Sequence, residues 1–315
     1  MKAMILSDFG GVDKFALKNI DAPVISDDEV LIQVVAVDIN PIDIKTRQGE
    51  GMASRYEKGR PIVLGWDVSG VVVAAGKDVN SVKVGDEVFG MINFPGTGGA
   101  YAEYVAAPAN QVARKPVDVP HIKAAAATLS ALTAWQAIVD HCNIKECDRV
   151  LIHGGAGGVG NFAVQIAKFF KAYVVATASA EDSDFVKESG ADEVIDYKNQ
   201  KFEDIEQPFD YILDTIGGEN FVRSLKVLKP DGLIVILPSN KVDEAEKTAQ
   251  EQHIKNFRHI LVHPNNGGME KIATLLNDCC LQVNIEKVFD FEDLPKAHEL
   301  LENGKVRGKV VVTVS

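Results

Sequence analysis

Cysteine is scarce in this chain of 315 residues. There are four, Cys142, Cys147, Cys279 and Cys280, and none belongs to a C-x-x-C pair. Their spacing favours neither a zinc staple nor a thioredoxin-like redox motif, and reduced thiols in a cytoplasmic protein are the simplest interpretation. No run of about 18 apolar residues occurs, so we expect no membrane span. The first residues lack the basic and apolar regions of a signal peptide, so none is expected.

Positive charge is also in deficit. The chain has 33 Lys and Arg against 45 Asp and Glu, which gives a formal net charge of −12. Nucleic-acid binding needs clustered Lys and Arg against the phosphates, so a nucleic-acid partner is not expected. The hydrophobic fraction of 46% and the charged fraction of 25% are ordinary for a globular protein, and the length allows two domains.

The clearest positive signal is a glycine-rich turn between a strand and a helix. Residues 150–152 have the pattern of a buried strand and residues 162–168 that of a helix. Between them, Gly155, Gly157 and Gly160 form G-x-G-x-x-G, in which these glycines allow a tight turn, close approach of a pyrophosphate and close helix packing, in that order. A helix N-terminus at this point also offers free N–H groups to phosphates. The pattern predicts dinucleotide binding by Gly155, Ala156, Gly157, Gly158, Val159 and Gly160.

The order of predicted elements divides the chain in two. Up to about residue 118, short β runs are separated by turn signals, which indicates a small barrel. From about residue 123, strands and helices alternate, which predicts an α/β domain with a parallel, doubly wound sheet. In this half, residues 124–139 predict one alanine-rich helix and residues 259–262 a strand. The final run, 308–314, looks buried on both faces and is expected to return to the first domain.

Six segments together carry a family resemblance: residues 40–49 (N-P-I-D-I-K-T-R-Q-G), 61–70 (P-I-V-L-G-W-D-V-S-G), 84–90, 99–104, the glycine turn and 307–311. They resemble the zinc-independent quinone oxidoreductases of the medium-chain dehydrogenase/reductase superfamily, and most closely the branch of plant enone oxidoreductases. The resemblance implies a GroES-like β-barrel catalytic domain over 1–122 and 264–315, a Rossmann domain over 123–263, and an active site in the cleft between them. It also implies a homo-oligomer, commonly a dimer or a tetramer, with the dimer expected here.

Zinc ligands are missing from the positions where relatives carry them. Zinc alcohol dehydrogenases of this superfamily place Cys near 38–43 and a G-H-E segment near 65–67, whereas this chain has no Cys in the first segment and Gly65-Trp66-Asp67 in the second. No soft or imidazole ligand remains for tetrahedral zinc, so no metal is expected, and Asp67 is interpreted as structural. Hydride transfer to an activated double bond needs only hydrogen-bond donors for the developing enolate.

The end of the second Rossmann strand favours NADPH over NADH. NAD enzymes place an acid there for the ribose hydroxyls. The matching residue here is Thr177, which does not repel a 2′-phosphate, and Ser179 can donate a hydrogen bond to it. The resemblance adds Tyr197 at the adenosine phosphate. Glu181 and Asp182 stand where relatives carry Lys, although acids also suit the start of a helix.

Further site residues follow from the resemblance, each beside a plainer interpretation. Asn40 would line the nicotinamide pocket, or form an Asx turn before proline. Lys45 would stabilise an enolate or donate a proton, or be a solvated surface lysine. Tyr56 would donate a proton, or be a packed loop aromatic. Trp66 and Phe94 would wall the substrate pocket.

Three more residues are cofactor candidates. Thr133 resembles a family position near the nicotinamide ribose, although a helical threonine commonly bonds to the preceding turn. Asn240 follows a predicted strand, at the sheet edge where a cofactor binds. Arg307 lies just before the last strand.

These observations predict an NADPH-dependent reductase of a small-molecule quinone or α,β-unsaturated carbonyl (enone). Hydride would pass from nicotinamide C4 to the electrophilic carbon, and positioning and electrostatics would carry the rate. Two alternatives stay open. One is an enoyl-thioester reductase of the same superfamily, and the other is a protein that binds NADPH without turnover.

Overall fold

A computed structural model describes residues 1–57, 59, 61–237, 242–251, 254–304 and 306–314, and the side chains of 242–246 are not described. The strands are β1 Lys2–Leu6, β2 Phe15–Asn19, β3 Glu29–Ile39, β4 Ile62–Val63, β5 Asp67–Ala75, β6 Glu87–Met91, β7 Tyr104–Pro108, β8 Ala113–Arg114, β9 Arg149–Ile152, β10 Tyr173–Ala178, β11 Glu193–Asp196, β12 Phe209–Asp214, β13 Leu228–Ile236, β14 Phe257–His259, β15 Ile285–Asp290 and β16 Lys309–Thr313. The α-helices are α1 Pro41–Arg47, α2 His121–Ala126, α3 Leu129–Trp135, α4 Gly158–Phe169, α5 Ser183–Glu188, α6 Glu219–Ser224, α7 Val242–Glu251, α8 Asn266–Asn277 and α9 Leu294–Glu302.

The chain forms two compact units. Unit 1 comprises Met1–Leu132, His263–Cys279 and Val283–Ser315, and unit 2 comprises Thr133–Val262 and Cys280–Gln282. Unit 1 extends past the boundary predicted at 122–123 because α2 packs on β3, β5 and β16, which all belong to unit 1.

Unit 1 is built on mainly antiparallel strands. Its larger sheet has the order β15-β16-β3-β5-β6-β8, with β7 also paired to β3, and a smaller sheet has the order β2-β1-β4. In β3, Val30, Ile32 and Val34 are buried while Gln33 between them is exposed, so one face of the strand packs in the core. Strand β16 is buried along Lys309–Val312 and pairs with the far end of β3, which puts the end of the described chain in this sheet.

Unit 2 is a six-stranded parallel sheet with the order β11-β10-β9-β12-β13-β14. In chain order this is 3-2-1-4-5-6, the order of a doubly wound dinucleotide-binding domain. Residues 150–152 of the central strand β9 are fully buried, as expected for a strand covered on both faces. The predicted combination of a β domain and a parallel, doubly wound sheet is confirmed.

Two predicted elements differ from the structure. The helix predicted over 124–139 is broken, since α2 ends at Ala126 and α3 begins at Leu129. The Thr128 hydroxyl donates to Ala125 O at 2.8 Å, and Asp67 Oδ1 accepts from the Leu129 N–H at 3.0 Å, so side chains replace helical backbone bonds at the break. The strand predicted at 259–262 lies earlier, at 257–259.

Within the described residues, no helix combines the length and the apolar character that crossing a membrane requires.

Candidate cofactor and substrate sites

The predicted glycine turn follows β9 directly and leads into α4. Gly154 has φ +72°, and the Gly155 N–H donates to Thr177 O on the neighbouring strand at 2.9 Å. Gly157 is the N-cap of α4 and has no side chain to cap it. The first N–H groups of a helix lack helical partners, so this end of α4 presents donors and a positive dipole end to an anion.

The turn fits a dinucleotide pyrophosphate, because its glycines divide into packed and open positions. A Cβ on Gly160 would lie 2.1 Å from Gly154 O, and a Cβ on Gly155 would lie 2.9 Å from the Ala176 Cβ. A Cβ on Gly157 would meet Gly154 O alone, at 3.3 Å. The space over Gly157 is therefore open, as it must be for a phosphate to reach the backbone.

Thr177 turns its hydroxyl toward this turn. Its Oγ1 accepts from the Gly154 N–H at 3.1 Å and lies 3.3 Å from Nδ1 of His153. The His153 Nε2 lies 3.0 Å from Ser224 Oγ, which itself donates to Asn220 O. The Nε2 nitrogen therefore carries the imidazole proton, and Nδ1 accepts from Thr177. Burial lowers the pKa of His153 to about 4, so the ring is neutral at pH 7.

The end of β10 carries the residues predicted for the adenosine end of the cofactor. Ser179 is buried, and its hydroxyl donates to Asp182 Oδ2 at 2.6 Å. The register pairs Ala178 with Asp196, so Ser179 and Tyr197 follow paired positions of β10 and β11. The Tyr197 side chain is 59% exposed, which leaves its ring open to a ligand.

The other predicted cofactor residues lie in different settings. Thr133 is buried on α3. Arg307 is exposed in unit 1, where its N–H donates to Glu286 Oε2 at 3.4 Å. Asn240 lies outside the described residues. Roles for these three in cofactor binding stay predictions.

In unit 1, the Asn40 amide is buried and engaged at both ends. Its Nδ2 donates to Asp67 Oδ2 at 2.7 Å, and its Oδ1 accepts from Lys309 Nζ at 2.7 Å. Asn40 is also the N-cap of α1, where its N–H donates to Asp43 Oδ2 at 2.8 Å. These bonds fix the start of α1, and contact between Asn40 and a nicotinamide stays a prediction.

Sequence reasoning missed the group that anchors Asn40, the buried ammonium of Lys309. Its Nζ donates to Asn40 Oδ1 at 2.7 Å and to Ser130 Oγ at 2.7 Å, and it forms an ion pair with Asp38 Oδ2 at 2.6 Å. A usable signal was present, since Lys309 and Asp38 are charged residues next to runs of apolar residues, and buried charges need partners. We name Asp38, Asn40, Asp67, Ser130 and Lys309 the lysine cluster.

Three buried carboxyls lie in or beside the lysine cluster. Burial raises the pKa of Asp38 well above its usual range, and it raises that of Asp67 as well. Burial also raises the pKa of Asp43 to about 7. One ammonium therefore faces three carboxyl groups, and the excess negative charge is smaller when Asp43 is protonated.

Replacing Asp43 with asparagine is expected to change how stability depends on pH. A folded-state pKa of about 7, above the unfolded value, means that the folded protein binds the extra proton between about pH 4 and pH 7. The wild-type protein should therefore lose stability relative to Asp43→Asn across that window as the pH rises, by up to about 4 kcal/mol. Urea denaturation from pH 4.5 to pH 8 measures the difference. The exposed control Asp13→Asn should follow the wild-type curve, and a constant offset between Asp43→Asn and wild type would contradict the assignment.

Three of the predicted residues of unit 1, Tyr56, Trp66 and Phe94, lie in or against one loop, residues 93–99. The Tyr56 hydroxyl donates to Thr97 O at 2.5 Å, and the Trp66 Nε1 donates to Gly96 O at 3.1 Å. The Trp66 and Phe94 rings meet edge to face at 5.8 Å, and both side chains are buried. Burial raises the pKa of Tyr56 above its usual range, so its hydroxyl stays protonated. These contacts hold the loop, and their part in binding a substrate stays a prediction.

Lys45 differs from these residues because its side chain is half-buried on α1 and makes no hydrogen bond or ion pair with any described residue. Its ammonium keeps its donors available to a ligand. Across the described ranges, no group of three or more His, Cys, Asp or Glu side chains is arranged to hold a metal ion.

Comparison with known proteins gives consistent matches over the full chain. The family model of the alcohol dehydrogenase GroES-like domain matches residues 26–117, and that of the zinc-binding dehydrogenase matches residues 189–312. Mitochondrial NAD(P)H oxidoreductase RTN4IP1 of Bos taurus is 34% identical over 100% of this chain and 89% of its own. The 2-methylene-furan-3-one reductase of Solanum lycopersicum is 35% identical over 99% of this chain and 79% of its own.

Solved structures agree with these relatives. The quinone oxidoreductase from Coxiella burnetii has a TM-score of 0.94 and 36% identity, covering 100% of this chain and 99% of its own. The CurK enoyl reductase has a TM-score of 0.87 and 26% identity, covering 100% of this chain and 99% of its own.

Proposed function

Because this chain belongs to the quinone and alkenal/one oxidoreductases of the medium-chain dehydrogenase/reductase superfamily, we propose that it reduces a quinone or an enone with NADPH. The matched relatives confirm the family resemblance seen in the sequence, the oxidoreductase class and the use of a nicotinamide cofactor. The observation that carries the proposal is the open backbone at Gly157, at the N-terminus of α4 and beside a strand end that holds no acid.

The choice of NADPH rests on the end of β10. Where NAD enzymes hold a carboxylate, Thr177 is buried and bonded to the glycine turn, so no negative charge stands at that position. Ser179 and the exposed Tyr197 ring follow directly, as a hydroxyl donor for a 2′-phosphate and an aromatic surface for the adenosine. The NADPH-dependent alkenal/one oxidoreductase of Arabidopsis thaliana, 34% identical over 99% of this chain, is named for the same cofactor.

The reduced nicotinamide, when bound, supplies a hydride. Side chains beside the substrate then have to stabilise negative charge on its oxygen and supply or relay a proton. Lys45 is our candidate for stabilising the negative charge on the substrate oxygen, because no described side chain competes for its ammonium. Tyr56 is our candidate hydrogen-bond donor, and water is the alternative source of the proton. Asn40 acts through α1, by fixing the helix that carries Lys45.

An enoyl-thioester reductase remains the second candidate, because the CurK enoyl reductase shares the fold over the whole chain. Its substrate would bring carrier phosphates, whereas this chain has a net charge of −12. The sequence-based expectation of a cytoplasmic homodimer stays a prediction, and several relatives are named mitochondrial or chloroplastic.

The test offers small enones, quinones and enoyl thioesters in turn to the protein with NADPH or with NADH. Oxidation of the cofactor is measured as the loss of its absorbance. We expect turnover of enones or quinones, with a higher kcat/KM for NADPH than for NADH. Turnover of thioesters alone would establish the second candidate instead. Binding of NADPH without turnover of any member of the panel would contradict the proposed activity and indicate a protein that binds the cofactor without using it.

A further inference from the structure

We propose that Asp182 is a specificity-determining residue of the cofactor site, whose carboxylate competes with the 2′-phosphate of NADPH for the Ser179 hydroxyl. The competition weakens NADPH binding without weakening NADH binding. The preference for NADPH over NADH is therefore smaller than it would be without the Asp182 carboxylate. The inference rests on the proposed function, since it takes the end of β10 as the adenosine end of the site.

The hydroxyl in question is already engaged. Ser179 is 8% exposed, and its Oγ donates to Asp182 Oδ2 at 2.6 Å, a distance typical of a hydrogen bond to a charged acceptor. A serine hydroxyl carries one hydrogen and therefore serves one acceptor at a time. A 2′-phosphate can take that hydrogen bond only by displacing the Asp182 carboxylate.

Charge adds to this competition. A phosphate that accepts from Ser179 comes close to the carboxylate that accepts from the same atom, and two negative groups at such a separation repel each other. NADH carries a ribose hydroxyl in place of the phosphate. That hydroxyl can donate to a carboxylate, as it does to the strand-end acids of NAD enzymes. Asp182 thus opposes one cofactor and is compatible with the other.

The turn that carries Asp182 is closed by its main chain as well as by its carboxylate. The Asp182 backbone N–H donates to Ser179 O at 3.0 Å, which closes residues 179–182 through the main chain. Asp182→Ala should therefore leave Ser179 in place with its hydroxyl released, whereas Asp182→Asn removes the charge and keeps an oxygen that can still accept. This separates the proposal from a structural role for Asp182, because a structural residue would lower the affinity for both cofactors.

The experiment measures dissociation constants of NADPH and NADH by nicotinamide fluorescence, and those of 2′,5′-ADP and 5′-AMP by competition, for wild type, Asp182→Asn and Asp182→Ala. We expect both variants to bind NADPH and 2′,5′-ADP about tenfold more tightly, equivalent to about 1.4 kcal/mol. NADH and 5′-AMP should bind no more tightly than before. The matched control is Asp184→Asn, the same chemical change on an exposed residue with no bond to Ser179, and it should leave the NADPH to NADH ratio within about twofold.

The same Asp182 substitutions in a Ser179→Ala background complete a double-mutant cycle between the two residues. Removing the shared hydroxyl should reduce the gain from Asp182→Ala, because part of that gain comes through Ser179 and the rest comes from the lost charge. An unchanged NADPH to NADH ratio in both Asp182 variants, or an equal gain in Asp184→Asn, would overturn the inference and leave the proposed function standing. Failure of the wild-type protein to bind either dinucleotide would overturn the proposed function and the inference together.

Discussion

Gly157→Ala should abolish dinucleotide binding in a protein that still folds. Gly157 has φ −76°, which any residue adopts, and an added Cβ would meet Gly154 O alone, at 3.3 Å. The turn can therefore accept a methyl group at this position. That methyl group would occupy the space through which a pyrophosphate reaches the backbone. We expect the dissociation constant of NADPH to rise by about 100-fold or more, equivalent to about 2.7 kcal/mol.

The neighbouring glycine supplies the contrast. A Cβ on Gly160 would lie 2.1 Å from Gly154 O and 2.8 Å from its carbonyl carbon, so Gly160→Ala must push the turn away from α4. Gly160→Ala should lower the melting temperature, whereas Gly157→Ala should melt close to wild type. Fluorescence titration and thermal melts of both variants test this division. NADPH affinity within a few-fold of wild type in Gly157→Ala would show that the cofactor does not use this turn.

Lys309→Met is expected to destabilise unit 1 by about 3–5 kcal/mol, the usual cost of removing one partner of a buried ion pair. The substitution leaves Asp38 without its cation and leaves Asn40 Oδ1 and Ser130 Oγ without the ammonium donor. It also removes the cation that offsets the negative charge of the buried residues Asp38, Asp43 and Asp67. This expected loss of stability concerns unit 1 alone and does not depend on whether a cofactor is bound to unit 2.

Urea denaturation followed by Trp66 fluorescence in a Trp135→Phe background measures this loss, since Trp66 is in unit 1 and Trp135 in unit 2. The control is Lys77→Met, which breaks an exposed 2.7 Å ion pair with Asp27 and should cost less than about 1 kcal/mol. Adding Asp38→Asn to Lys309→Met should restore part of the stability by removing the unpaired charge. Equal losses in Lys309→Met and Lys77→Met would contradict the role of the lysine cluster.

The sequence was sufficient for features that depend on local pattern. The G-x-G-x-x-G turn and the parallel, doubly wound sheet follow from glycine spacing and from the alternation of strands and helices, which act within a few tens of residues. The open position at Gly157 and the packed position at Gly160 are those that the motif predicts for its second and third glycines.

Features that depend on distant partners were beyond the sequence. Lys309 and Asn40 are separated by 269 positions, and nothing in either segment specifies that the two meet. The break at Thr128 depends on Asp67, and the His153 ring depends on Ser224 in a later helix. Even the short-range bond from Ser179 to Asp182 was hidden, because acids after a strand also fit the start of a helix.

The measurement that tests the central claim most directly is the transfer of deuterium from NADPH labelled at C4 to a small enone. We expect the product to carry one deuterium at the carbon β to the carbonyl, from one face of C4 and not the other, as follows if the enzyme binds the ring in one orientation. Unlabelled NADPH in D₂O should place the label at the α carbon instead. Consumption of NADPH with no deuterium at the β carbon from either face would contradict a hydride reductase.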